Sequence, residues 1–317
     1  MHHASLHHAS LHHASRRLRL SPIAARIVPA VAIASTLLLP ATRAGVAAPA
    51  KPTLRLIEVV ADTGAYDVNA TLIAGPTEAL LVDAQFHASD ARRLADQIAA
   101  TGTHLKAIFI THPDEDHYLG SAVIEERFPG TPVYMTAAAI SEFKDQAPKY
   151  LAGIKAHEPN EAPDSLVTPQ PLPSTTLTVD GEKIEIIPDQ QGDVLKPTNS
   201  FLWIPSLRAV VAGDIVFNGI HAWLGSSSPE ARVAWHHSIA RIAALHPLIV
   251  VAGHKSSADL PDSPDVLRRM DQYLTDFDAA RLASPDAKGL VTAMTEKYPS
   301  YPERGLLGYS AQMAYKQ

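Results

Sequence analysis

From residue 54 onward the apolar positions fall into short blocks of two different periods. Residues 54–60 and 68–74 read as strands, Gly75-Pro76-Thr77-Glu78 as a turn, and 79–82 as a third strand. Ser89 can cap a helix reaching about residue 100, with Leu94 and Ile98 at helical spacing. The apolar run 106–110 fits a buried strand, and a helix is expected from near Tyr118 to just before Pro129-Gly130. The stretch 145–176 holds six Pro with little periodicity and reads as a long surface connection. Residues 184–187, 200–204 and 209–212 read as strands, 230–245 as a helix, 248–252 as a further buried strand, and 263–282 as a helix with Pro264 in its first turn. Strands and helices mixed along the whole chain predict a layered α/β domain.

Composition narrows this picture. The chain has 317 residues, 46% of them apolar and 19% charged, which fits a folded globular protein. With no cysteine it has no disulfide, thiolate metal site or cysteine nucleophile, so any metal must be held by His and carboxylates. Residues 1–48 read as leader. His-His-Ala-Ser occurs three times over residues 2–15 and holds six of the 16 His; it reads as an unstructured, tag-like repeat. Four arginines then precede an apolar run over 27–39, too short for the ~20 residues of a membrane span and suited to the core of a secretory signal peptide. Ser15-Arg16-Arg17-Leu18 also resembles a twin-arginine signal. The expectation is a periplasmic or secreted protein with no stable membrane association after cleavage, and one domain over 49–317. Without the leader, 22 basic residues face 33 acidic ones, a formal charge of −11. That charge argues against nucleic acid as a partner.

The densest chemistry is Thr111-His112-Pro113-Asp114-Glu115-Asp116-His117, directly after the 106–110 strand. A strand-to-helix loop lets several of these side chains converge, which no regular element does. Helix capping accounts for the carboxylates but not for two flanking imidazoles; the mixture suits zinc, iron or manganese. Two later strand ends repeat one layout: Val210-Val211-Ala212-Gly213-Asp214 and Val250-Val251-Ala252-Gly253-His254. A Gly before each candidate ligand permits a sharp turn or a close approach.

These residues, with Asn69 and Asp83, make residues 54–255 resemble the metallo-β-lactamase superfamily. The resemblance implies a four-layer αββα sandwich and an active site at one edge of it. It implies that His112 helps bind a first metal, that Asp116, His117 and His254 bind a second, and that Asp214 bridges the two. Two positions depart from the family pattern. Asp114 stands where the family's loop has its second His, and Asp193, 21 residues before Asp214, stands where another His is usual. The first site would then be His112, Asp114, Asp193 and Asp214, an oxygen-rich set for one or two divalent ions, zinc first and iron or manganese admitted.

The expected activity is metal-dependent hydrolysis of an ester, lactone, amide or phosphoester, with Asp116 or Asp114 orienting water or accepting its proton. His221 is a candidate substrate-orienting or acid group. The alternatives are a non-hydrolytic iron relative using oxygen and a catalytically silent binding protein. The extra negative charge favours neutral or cationic substrates over polyanions. Lys255 reads as a surface lysine, and Trp203, Trp223 and Trp235 as core or pocket wall.

Overall fold

Most of the short apolar blocks become strands buried on both faces, and this decides the layering. The computed structural model describes residues 53–316. The His-rich repeat and the signal-peptide reading lie outside the described residues. In chain order the first half runs β1 (Arg55–Val60), β2 (Asn69–Ala74), β3 (Glu78–Val82), α1 (Ala88–Ala100), β4 (His104–Phe109), α2 (Glu115–Tyr118), α3 (Ser121–Arg127), β5 (Val133–Met135) and α4 (Ala137–His157). The second half runs β6 (Gln170–Pro171), β7 (Thr176–Val179), β8 (Glu182–Gln190), β9 (Asn199–Ile204), β10 (Ala209–Val211), β11 (Phe217–Asn218) and α5 (Pro229–Ala243). It closes with β12 (Ile249–Val251), β13 (His254–Lys255), α6 (Asp265–Ala283), α7 (Ala287–Lys297) and α8 (Arg304–Ala314). No helix among the described residues is long and apolar enough to cross a membrane.

One sheet has the order β1-β2-β3-β4-β5-β6 and a second the order β12-β10-β9-β8-β7; β11 and β13 form a small parallel pair. Successive strand residues point to opposite faces, and here both faces are apolar. In β3, Leu80 and Val82 meet Leu202, Ile204, Val211 and Val251 of the second sheet, forming the core between the sheets. Ala79 and Leu81 of the same strand face the other way, into a cluster with Leu94 and Ile98 of α1 and Phe143 of α4. The outer face of the second sheet, with Phe201 and Val210, packs on Trp235 of α5 and Phe277 of α6. The order is therefore helix, sheet, sheet, helix, as the αββα expectation has it.

Three local expectations need correction. The segment 145–176 is not all loop, because α4 runs to His157 through Pro148. Ile140, Phe143, Ala147 and Ile154 make a buried stripe that holds this helix on the core. Pro148 and Lys144, whose carbonyl loses its helical partner there, are both exposed, so water can satisfy that group. The helix expected from Tyr118 is two short ones, broken where the Gly120 N–H donates to the Gln85 carbonyl at 2.9 Å. Finally, α1 starts at Ala88 after His87, two residues earlier than a Ser89 cap would put it; the Ser89 N–H instead donates to Glu161 Oε2 at 3.0 Å.

Candidate metal centre

Strands β3, β4, β8, β10 and β12 all deliver polar residues within a few positions of their C-terminal ends. These are Asp83, the 111–117 loop, Asp193, Asp214 and His254. Because the strand ends meet at one rim of the sandwich, residues far apart in sequence gather within hydrogen-bond range. His254 Nε2 lies 3.0 Å from Asp214 Oδ2 and 3.3 Å from Asp116 Oδ2. His117 Nε2 lies 3.2 Å from Asp214 Oδ1 and 3.4 Å from His254 Nε2. His112 Nε2 is 3.8 Å from Asp193, 3.9 Å from Asp214 and 4.0 Å from Asp114.

Two glycines make this crowding possible. Gly213 has φ +51, and a Cβ on it would come 2.8 Å from Thr111 Oγ1. A Cβ on Gly253 would collide with Asp214 Oδ1. The backbone under Asp214 and His254 is thus packed directly against the side chains of the site.

Each imidazole is held by its Nδ1, leaving Nε2 for the centre. His254 Nδ1 faces the Tyr66 carbonyl at 2.7 Å, and a carbonyl only accepts, so the proton sits on Nδ1. His117 Nδ1 is 2.9 Å from Asp83 Oδ2. His112 Nδ1 is 3.0 Å from Thr111 Oγ1, whose hydroxyl donates to Asp83. Asp83 has φ 60, a conformation costly for a non-glycine residue, and its Oδ1 also accepts the Thr111 N–H at 2.8 Å. Phe217 stacks on the His254 ring at 4.9 Å, and Asn199 Nδ2 donates to Asp193 Oδ1 at 3.2 Å. Of these supporting residues only Asp83 and Thr111 stood out in the sequence. Tyr66 acts through a backbone carbonyl, which no side-chain pattern announces.

The protein alone leaves this centre electrostatically unresolved. Burial drives the His112 pKa well below its ordinary value, helped by the neighbouring imidazole of His117, so His112 is neutral. Its buried Nε2 has no hydrogen-bond partner, and Asp214 Oδ1, though 3.2 Å from His117 Nε2, makes no aligned hydrogen bond. Burial, then the repulsion of nearby carboxylates, pushes Asp114 and Asp193 well above the carboxylate range. Burial opposes charge on Asp214 too, but the three imidazoles outweigh it and hold its pKa well down. Burial would lower His254, yet Asp214 and Asp116 bring it up to about 9. Unpaired buried atoms and mutually repelling carboxylates are what a divalent cation would relieve.

Donor atoms of His112, His117 and Asp214, of Asp116, His117 and His254, and of His112, Asp114 and Asp193 each lie within 4.8 Å of one another. An ion about 2.1 Å from each ligand keeps neighbouring ligands roughly 3 to 4 Å apart, so the donor set fits. The family model of the metallo-beta-lactamase superfamily matches residues 63–254, and this span contains every one of these donors.

The chain belongs to the metallo-beta-lactamase superfamily.

Solved structures agree on the fold. A metallo-beta-lactamase family protein from Thermus thermophilus superimposes with a TM-score of 0.58 at 18% identity, covering 83% of this chain and 92% of that one. The DIM-1 metallo-beta-lactamase gives 0.50 at 18% identity, covering 71% of this chain and 98% of that one. A comparison with curated proteins gives no significant match. Superfamily membership and the donor groups together support divalent metal binding.

The superfamily match ends at the last donor, His254, while α6, α7 and α8 follow it. His221, expected near the cleft, instead faces these helices. Its Nδ1 is 2.9 Å from the Tyr273 hydroxyl and its ring lies edge-on to Tyr301. It does not line the cavity over the donors, and burial, then Arg304, push its pKa down to about 4. Lys255 is a second correction: it is fully buried, not on the surface. Its Nζ donates to Glu58 at 2.9 Å and to Asp262 at 2.8 Å. Trp235 is core and Trp223 lines the cavity.

Proposed function

We propose that this protein is a metal-dependent hydrolase of a small molecule carrying an ester, lactone, amide or phosphoester bond. The observation that carries the reading is the placement of the donors. Asp114, Asp116, Asp193, Asp214 and His254 line a cavity of about 310 Å³, a size suited to a small substrate.

In this reading His112, Asp114, Asp193 and Asp214 hold one ion, and Asp116, His117 and His254 the other, with Asp214 between them. Divalent ions in such a centre supply Lewis acidity, polarising a carbonyl or phosphoryl oxygen and making water more acidic. Asp214 sits deepest among the imidazoles, which keep it ionised. Asp114 and Asp116 are the more exposed carboxylates of the donor set, and the proposal gives them the orientation of water and the acceptance of its proton. Asp83 and Thr111 hold the imidazoles in the tautomer that turns Nε2 inward. Zinc is the expected metal, with iron or manganese favoured at the oxygen-rich His112 side.

The test is metal analysis of the purified protein followed by a hydrolysis panel of neutral, cationic and anionic esters, lactones, amides and phosphodiesters. The reading predicts one to two ions per chain and turnover of at least one class, lost in Asp214→Ala. Bound iron with oxygen consumption and no hydrolysis would replace it with the oxygen-chemistry reading. The leader sequence supports export, which N-terminal sequencing of the periplasmic fraction checks.

A further inference from the structure

The cavity wall opposite the donors is built for something other than metal. Glu142, Gln146 and Tyr150 stand at four-residue intervals on α4, so they share one face, and all three line the cavity. Gln146 Nε2 donates to Glu142 Oε1 at 3.1 Å, and the Tyr150 hydroxyl donates to Gln146 Oε1 at 3.0 Å. Thr198 Oγ1 donates to Glu142 Oε2 at 3.3 Å. Three polar groups in series thus fix the Glu142 carboxylate in one orientation, and no lysine or arginine among the described residues pairs with it.

This carboxylate is close to the metal donors without belonging to them. Thr198 holds Glu142 while the next residue, Asn199, holds Asp193, so one chain segment spans both. No lysine or arginine among the described residues lines the cavity. Two divalent ions would balance the four aspartates of the centre, and the two glutamates that also line the cavity, Glu115 and Glu142, would stay uncompensated. Aromatic groups complete the wall. Trp223 is held by its Nε1 donating to Ser226 at 3.2 Å and by stacking on Tyr309 of α8 at 5.1 Å. Tyr66 lines the same cavity.

We propose that Glu142, with Trp223 and Tyr150, forms a subsite for an alkylammonium group of the substrate. An oriented carboxylate without a basic partner, lining one cavity with aromatic rings, attracts an organic cation through both charge and ring quadrupole. A carboxylate-bearing substrate would meet only repulsion there. The subsite rests on the hydrolase reading for the word substrate; binding of the cation does not depend on it.

The experiment is calorimetry on the metal-loaded full chain with two probes of one shape, choline and its uncharged isostere 3,3-dimethylbutan-1-ol. The subsite predicts choline binding tighter by roughly tenfold. In Glu142→Gln that ratio should fall towards one, with metal content as in the wild type. Equal binding of the two probes by the wild type overturns the proposal, and so does a ratio that Glu142→Gln leaves intact. If the variant does not fold, the wild-type comparison still decides. Choline-selective binding without hydrolysis of any ester, lactone, amide or phosphodiester of the panel would sink the hydrolase reading and leave the subsite standing. Hydrolysis without any preference for the cation would do the reverse.

Discussion

The carboxylate of Asp83 lies 2.9 Å from Nδ1 of His117 and also receives the hydroxyl and backbone N–H of Thr111. One residue outside the donor set therefore sets the direction of His117 and, through Thr111, that of His112. Replacing Asp83 with Ala leaves those rings free to turn. We expect metal affinity to fall by roughly 10- to 100-fold, read by competition with a chelator, while the donors themselves remain. Affinity unchanged in Asp83→Ala would show that the rings need no such support.

Asp114 and Asp193 meet His112 from two sides at 4.0 and 3.8 Å. If they are ligands, Asp114→Ala and Asp193→Ala should each lower the bound metal, measured by mass spectrometry, and the Asp193 change more, because Asp193 is the more deeply buried. Metal binding to the folded state alone also stabilises it by mass action. Chelation should lower the Tm of the wild type more than that of either variant. Equal metal content in all three proteins would remove the oxygen-rich site.

Buried Lys255, next to His254, and half-buried Glu58 and Asp262 form an ion cluster. Burial raises the Asp262 carboxyl to about 7, with the hydrogen bond to Glu58 as the next cause. Burial opposes charge on Glu58 as well, but bonds from Asp262, Lys255 and Asn69 outweigh it and hold Glu58 below its ordinary value. A carboxyl whose folded pKa is raised contributes stability that is present at low pH and lost as pH rises through that pKa. The wild type should lose Tm as pH rises from about 4, the ordinary carboxyl range, to about 7, and Asp262→Asn should flatten that slope. A slope unaltered by the substitution would place the titration elsewhere.

Removing the cation of the same cluster should be severe. Lys255→Met leaves the Glu58 and Asp262 carboxyls without their positive partner, at a cost of about 3 kcal/mol. Urea unfolding measures it. A change within a few tenths of a kcal/mol would mean that the cluster simply takes up another proton.

His221 lies in a nest of tyrosines, bonded to Tyr273 and edge-on to Tyr301. His221→Ala should destabilise by about 2 kcal/mol through the cavity it opens and the bond it removes. Metal content should not change. Loss of metal without loss of stability would return His221 to the centre.

The sequence alone determined the alternation of strands and helices, because periodicity, caps and turns depend on residues within a few positions of one another. It also marked the 112–117 loop and the Gly-Asp and Gly-His strand ends, where a polar group follows an apolar strand. Only the tertiary structure decided that α4 continues through Pro148, since a buried stripe against the core outweighs one lost hydrogen bond. It alone showed Lys255 buried, because the carboxyls that make burial tolerable come from residues 58 and 262. The same holds for Glu142, which Thr198 orients across 56 residues, and for His221, drawn aside by α6 and the segment before α8. Where a charge or an imidazole can reside depends on partners the chain brings from afar, and local pattern carries no record of them.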